Sequence, residues 1–229
     1  MMKLAHIPAI AVLGIVALST PAVAREQKET ERVDRTVSIR SGGQLRLKNF
    51  SGTVTITGGS RGDISVHAIR RADRDRLDHI KLEIVETGSG VTIEANKKDS
   101  DWHERDNNVI DTELDIQVPD DVTLDVQVFS SDVKIVDVRG RQRVHTFSGD
   151  VDVAGAAGSV DAETFSGDIT VRLAQSAGGH LDFDSFSGSL QSDVPMLYRS
   201  GSRRRIQGDI GSGNNEYHFK TFSGDVRIR

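Results

Sequence analysis

The chain has 229 residues, 36% of them hydrophobic and none of them cysteine, with a formal net charge of −5. That length suffices for one sizeable domain. The missing thiols exclude disulfides, a cysteine nucleophile and lipid attachment at a cysteine, and the acidic balance makes nucleic acid and anionic lipid surfaces poor partners.

Lys3, the apolar run from Ile7 to Leu18 and the small triplet Ala22-Val23-Ala24 predict a secretory signal over residues 1–24, cleaved to leave Arg25 first. The run is shorter than the roughly 20 residues of a membrane span. Loss of Lys3 with the signal takes the formal charge from −5 to −6. The signal has a bacterial look, so the mature chain is expected in the periplasm or secreted. Residues 25–36 are almost wholly polar and read as a solvated leader. Residues 37–229 are expected to form one domain.

From Val37 onward the apolar residues recur with period two. Leu45 and Leu47, Val54 and Ile56, Ile64 and Val66, Leu82 and Ile84, Val91 and Ile93 each mark a strand. Thr87-Gly88-Ser89-Gly90 reads as a turn. Leu114, Ile116 and Val118 mark a further strand, ended at Pro119-Asp120-Asp121. Arg70 to Asp78 fits a short helical turn or a charged loop equally well. Asn96 to Asn108, with the only Trp, reads as an irregular excursion.

A short phrase then dominates. It occurs as Phe50-Ser51-Gly52-Thr53-Val54, Phe129-Ser130-Ser131-Asp132-Val133, Phe147-Ser148-Gly149-Asp150-Val151, Phe165-Ser166-Gly167-Asp168-Ile169, Phe186-Ser187-Gly188-Ser189-Leu190 and Phe222-Ser223-Gly224-Asp225-Val226. From Phe129 the steps are 18, 18, 21 and 36 residues, and Ile206-Gln207-Gly208-Asp209-Ile210 reads as a worn copy inside the double step. Such self-similarity is the mark of a solenoid.

Apolar columns stand five and three residues before each Phe and four and six after it, with Gln142 and Ser192 as polar exceptions. Spacing is two within each pair, as a strand requires, but seven between the pairs. An odd step keeps both pairs inward only if the chain bends, so a corner is expected at the phrase. Glycine suits that bend, yet Ser131 replaces it once, so a positive φ is not expected in every copy. Without helical periodicity between strands, the fold class is all-β: a single parallel β-solenoid or β-helix of about 18-residue coils.

Two columns invite functional readings. Phe50, Phe129, Phe147, Phe165, Phe186 and Phe222 read as a corner packing column, since large apolar side chains are usually interior; the alternative is an exposed strip that grips a sugar or a partner. Chain order puts Phe165 between Phe147 and Phe186. Asp132, Asp150, Asp168, Asp209 and Asp225 read as acceptors for corner amides. Calcium between coils is the alternative, but it wants six to eight oxygens where each corner offers one acid.

The other candidates are weaker. His67, His79, His103, His145, His180 and His218 lack metal-ligand spacing. Gly211-Ser212-Gly213-Asn214-Asn215 is a broken nucleophile-elbow motif. Gly155-Ala156-Ala157-Gly158 reads as a coil turn. Trp102 to Asp106 could bind through a loop or form a solvated flap, and Arg203-Arg204-Arg205 reads as an exposed turn blunting an edge. No catalytic, cofactor-binding or metal-ligating residue is assigned.

These phrases, the Pro119-Asp120-Asp121-Val122 junction and the closing Thr221 to Arg229 resemble the bacterial "putative adhesin" family with β-strand repeats. The resemblance spans Val37 to Arg229. It implies a β-solenoid outside the cytoplasm and carries no catalytic residues. The expected function is an exported, non-enzymatic, adhesin-like scaffold or binding module with an unknown envelope partner. The alternatives are a polysaccharide-acting enzyme on a β-helix and an envelope protein self-assembling through solenoid ends.

Overall fold

A computed structural model describes residues 28–100 and 109–229. The expected signal and its cleavage site lie outside the described residues, as does the Trp102 to Asp106 segment. The strands, in chain order, are β1 (Glu29–Ser38), β2 (Gln44–Gly59), β3 (Asp63–Ala72), β4 (Ile80–Thr87), β5 (Gly90–Lys98), β6 (Asp111–Pro119), β7 (Thr123–Val136), β8 (Gln142–Ser148) and β9 (Val151–Ala156). There follow β10 (Val160–Ser166), β11 (Ile169–Leu173), β12 (Gly179–Ser185), β13 (Leu190–Ser192), β14 (Met196–Gly201), β15 (Arg205–Ile210), β16 (Asn215–Ser223) and β17 (Val226–Ile228). One short helix, α1 (Arg74–His79), joins β3 to β4. The protein is all-β.

The repeated phrases pair in parallel, as their equal columns require. Before the corner the neighbours run β5, β2, β7, β8, β10, β16, β12; after it they run β6, β2, β7, β9, β11, β17, β13. The corner expectation holds. In the third copy Val144, Thr146, Val151 and Val153 are buried while Phe147 and Ser148 are not, so two successive outward residues reset the inward parity. Gly149 and Gly167 take φ of 136° and 147°, whereas Ser131 has no positive φ and lies inside the continuous strand β7.

A uniformly parallel stack of 18-residue coils is not what forms. The sheet is mixed, with antiparallel ladders β1–β3, β3–β6, β4–β5, β12–β15 and β14–β15. Two expectations change with it. Residues 29–36, read as leader, belong to β1, whose side chains are mostly exposed but whose backbone pairs along β3. The worn copy at Ile206 to Ile210 is no corner: it lies in β15 and runs antiparallel to β12.

Chain order is also broken. The late strands β16 and β17 enter between β10–β11 and β12–β13. The reason is visible on the outer face. The registers align Asp161, His218 and Asp182 across β10, β16 and β12, and likewise Glu163, Lys220 and Asp184. In chain order Asp161 would lie beside Asp182 and Glu163 beside Asp184, and like charges directly opposite destabilise a ladder. Inserting β16 puts the Lys220 cation between Glu163 and Asp184, and a histidine in place of a facing acid between Asp161 and Asp182.

The core is the continuous stack of inward Val, Leu and Ile columns, closed near β12 and β16 by Phe183, Tyr217 and Phe219. Gln142 sits fully buried and donates to the Val138 carbonyl at 2.8 Å. Within the Arg70 to Asp78 segment, Arg70 to Ala72 end β3 and the helix begins at Arg74; a second small core of Ala72, Leu77, Ile80 and Ile110 holds that helix, because Leu77 is buried in it. Arg70 is buried beside it and donates to the Glu31 carboxylate and the Ile80 carbonyl.

Candidate binding groove

The Phe column is a stack, and it faces solvent. In spatial order the rings are Phe50, Phe129, Phe147, Phe165, Phe222 and Phe186, with centroids 4.7, 4.8, 4.9, 4.6 and 4.7 Å apart. The spacing matches that of paired strands, about 4.8 Å, so each ring rides directly on its neighbour's. Exposure runs from 42% at Phe50 to 57% at Phe186, which overturns the buried packing column. The sequence alternative, an exposed strip, is what forms. The cause is the corner: at the bend the Phe position points outward, and the inward place goes to the residue before it. That row of Asn49, Val128, Thr146, Thr164, Ser185 and Thr221 is buried and largely polar. Phe165 is flanked by Phe147 and Phe222 rather than by Phe186, since β16 is inserted.

Beside the strip runs an open groove of about 1220 Å³. Its wall is the outward row two residues before each Phe, which includes Lys48, His145, Glu163, Lys220 and Asp184. The β14–β15 turn closes one end, where the Arg204 guanidinium lies 5.3 Å from the Phe186 ring centroid. Arg205 pairs with Asp184. The expected edge turn at Arg203-Arg204-Arg205 therefore also lines the groove, a role that its sequence neighbourhood hides.

The Asp column behaves as the amide-acceptor reading expects. Asp132 accepts from the Asp150 amide at 2.9 Å, Asp150 from Asp168 at 2.8 Å, Asp168 from Asp225 at 2.8 Å, and Asp225 from the Ser189 amide at 2.9 Å. Each carboxylate thus ties its own corner to the next. The Ser189 amide and hydroxyl hold the Asp225 carboxyl below the usual carboxylate range. Asp209 stands apart: on β15 it meets His180 at 2.5 Å and also Arg199, and the His180 contact is the main cause of its lowered pKa.

The histidines pair with acids across strands. His67 meets Asp34 at 2.6 Å, and Glu163 lies between His145 at 3.5 Å and His218 at 3.9 Å. Asp161, Glu163 and His218 place one ligand atom each within 4.8 Å of one another, a grouping that sequence spacing conceals because β16 joins β10 from far along the chain. Arg143 occupies one oxygen of Asp161 at 3.1 Å, which gives that carboxylate a cation already.

A family model described as Toastrack DUF4097 matches residues 123–229. No curated protein matches the chain. Among solved structures, a putative cell adhesion protein from Clostridium sporogenes is similar over 86% of this chain and 99% of its own, at 13% identity and a TM-score of 0.61. A putative adhesin from Bacteroides fragilis aligns over 87% of this chain and 97% of its own, at 10% identity and a TM-score of 0.32. The first likeness supports the fold. No described helix is long and apolar enough to cross a membrane.

Proposed function

We propose, since the Toastrack DUF4097 family model matches residues 123–229, that this chain is an exported, non-enzymatic binding module of the bacterial envelope. Its repeats wind as a β-solenoid interrupted by antiparallel additions, and the scaffold presents the aromatic groove to a partner. The observation that carries this reading is the row of six stacked rings left 42–57% exposed. A continuous apolar strip of this kind on a soluble surface marks an interaction site. The adhesion-related names of the structural neighbours agree with it. A non-catalytic role is supported by the charged rows beside the strip, where Arg46 pairs with Asp125 at 3.3 Å and Arg143 with Asp161 at 3.1 Å. Pairing along a row spreads charge evenly, whereas catalysis needs groups converging on one point.

The test is affinity capture from the envelope extract of the source cell. The mature wild-type chain is compared with the Phe147→Ser/Phe165→Ser variant. Loss of the captured partner in the variant, with the far-UV circular dichroism retained, is the expected result. Equal capture by both would remove the groove from the reading.

A further inference from the structure

The chemistry of the groove narrows what can fill it. The rings spend their faces on each other: four of the five stacked pairs lie within 6° of parallel. What remains outward is a ridge of ring edges. A sugar stacks on a ring face, and among the described residues the faces not stacked on another Phe are the outer ones of Phe50 and Phe186, the second of which Arg204 approaches at 5.3 Å. The edge carries the positive end of the aromatic quadrupole. The ridge is therefore hydrocarbon with a slight preference for negative charge.

The lining agrees in sign. Lys48, Arg204, Arg205 and Lys220 face the groove against Glu163 and Asp184, in a chain whose formal charge is −5. Arg205 is neutralised by Asp184. Lys48, Arg204 and Lys220 have no carboxylate partner among the described residues. Arg204 and Lys220 lie at the Phe222–Phe186 end. Charge of the whole chain is screened over roughly 8 Å at physiological ionic strength, so these nearby cations decide the sign at contact.

The length agrees as well. Five ring spacings of 4.6–4.9 Å make the strip about 24 Å long. An acyl chain spans about 15 Å, half of a bilayer core of about 30 Å.

We propose that the groove binds one anionic amphiphile. Its acyl chain lies along Phe129, Phe147 and Phe165, and its carboxylate or phosphate head meets Arg204 and Lys220. The proposal rests on the groove being the binding surface and names the class of ligand that it takes.

The test is calorimetric titration of the mature chain with hexadecanoate, hexadecyl phosphate, hexadecyltrimethylammonium and octanoate, each kept monomeric. Saturable one-to-one binding is expected for both sixteen-carbon anions, and the preference between them separates a free acid from a phospholipid head as the source. The cationic analogue should bind at least tenfold more weakly. Octanoate should bind at least 100-fold more weakly, since each buried methylene is worth roughly threefold to fourfold. Arg204→Gln/Lys220→Gln should weaken hexadecanoate at least tenfold, and Phe147→Ser/Phe165→Ser should abolish binding of all four, both with unchanged circular dichroism. The proposal is overturned by absent binding of both anions, by equal binding of the cationic analogue, or by indifference to Arg204→Gln/Lys220→Gln. It is also overturned by a concentration-dependent dimer that vanishes in Phe147→Ser/Phe165→Ser, which would make a second copy the occupant. If that variant loses envelope capture while neither anion binds the wild type, the ligand class is wrong and the groove reading stands. If hexadecanoate binding is lost but capture is not, the amphiphile site stands and the adhesion reading falls.

Discussion

Replacing Gly167 by alanine tests the corner most severely. Gly167 has φ of +147°, and a Cβ there would lie 2.2 Å from the Gly149 carbonyl oxygen and 2.7 Å from its carbon. Both atoms are backbone within the stack, fixed by the next corner, so no flexible side chain can yield. Two costs add. A non-glycine residue held in that conformation costs about 1–3 kcal/mol, and overpacking against a fixed neighbour costs about 1–3 kcal/mol more. The expected loss is therefore roughly 4 kcal/mol. At a slope near 3 kcal/mol per molar urea, that lowers the midpoint by roughly 1.3 M. Gly62→Ala is the control, since nothing lies within 4 Å of its Cβ and its φ is not positive. That change should be neutral or stabilise by about 0.4–1 kcal/mol. Urea titration by circular dichroism of the two variants decides the matter. A Gly167→Ala midpoint within about 0.2 M of the control would refute the claim that corners are pinned by backbone contact.

Phe165→Ala should cost about 2–3 kcal/mol, less than a fully buried ring, because 45% of the residue is exposed; denaturant midpoints should show coupling with Phe222→Ala and none with Phe186→Ala, since of these two Phe222 alone stacks on it. Lys220→Glu sets three acids in a row with Glu163 and Asp184 and should cost about 0.5–1.5 kcal/mol, part of it recovered in high salt; equal midpoints at low and high salt would count against the alternating-row account. Asp225 has a folded pKa below its unfolded value of about 3.9, so its contribution is present above that pH and is lost as pH falls through the folded value. Asp225→Ala should therefore lower stability at pH 7 by about 1–2 kcal/mol, the worth of its bonds to Ser189, and differ less from wild type near pH 2; a constant difference across that range in acid titrations would reject it.

Much of the stack was legible because one residue governs one place. The odd spacing of seven required a bend, and the inward burial of Val144 and Val151 on either side of Phe147 is that bend. The Asp column was legible too, since a carboxylate beside exposed corner amides has an obvious acceptor role. What failed was the inference from residue type to burial at the Phe positions. An aromatic side chain gains from burial, but a corner leaves its convex side no core to enter, and face-to-face stacking shelters about half of each ring instead. The order of the strands was not legible from the phrase alone, because all copies fit all neighbours equally. The signal lay in the outward charges: two rows of acids, Asp161 with Glu163 and Asp182 with Asp184, needed His218 and Lys220 between them. The Arg204 end of the groove was hidden because that turn belongs to an antiparallel hairpin, which the repeat does not describe.

The insertion of β16 and β17 dictates how the protein can acquire its shape in time. From β7 to β11 each new coil can settle on the one before it, so growth there proceeds like a zipper with short loops to close. After β11 the zipper halts. Strands β12 and β13 emerge next but have no seat, because the place beside β10 and β11 belongs to a segment that follows some 35 residues later in the sequence. β12 can pair with β15 on one edge, but its other edge and β13 wait until β16 and β17 arrive and fill the place between them and β10–β11. This last step seats one strand against two others at once, so it should form a slow phase of refolding and an interval in which the chain is open to pairing with a neighbour.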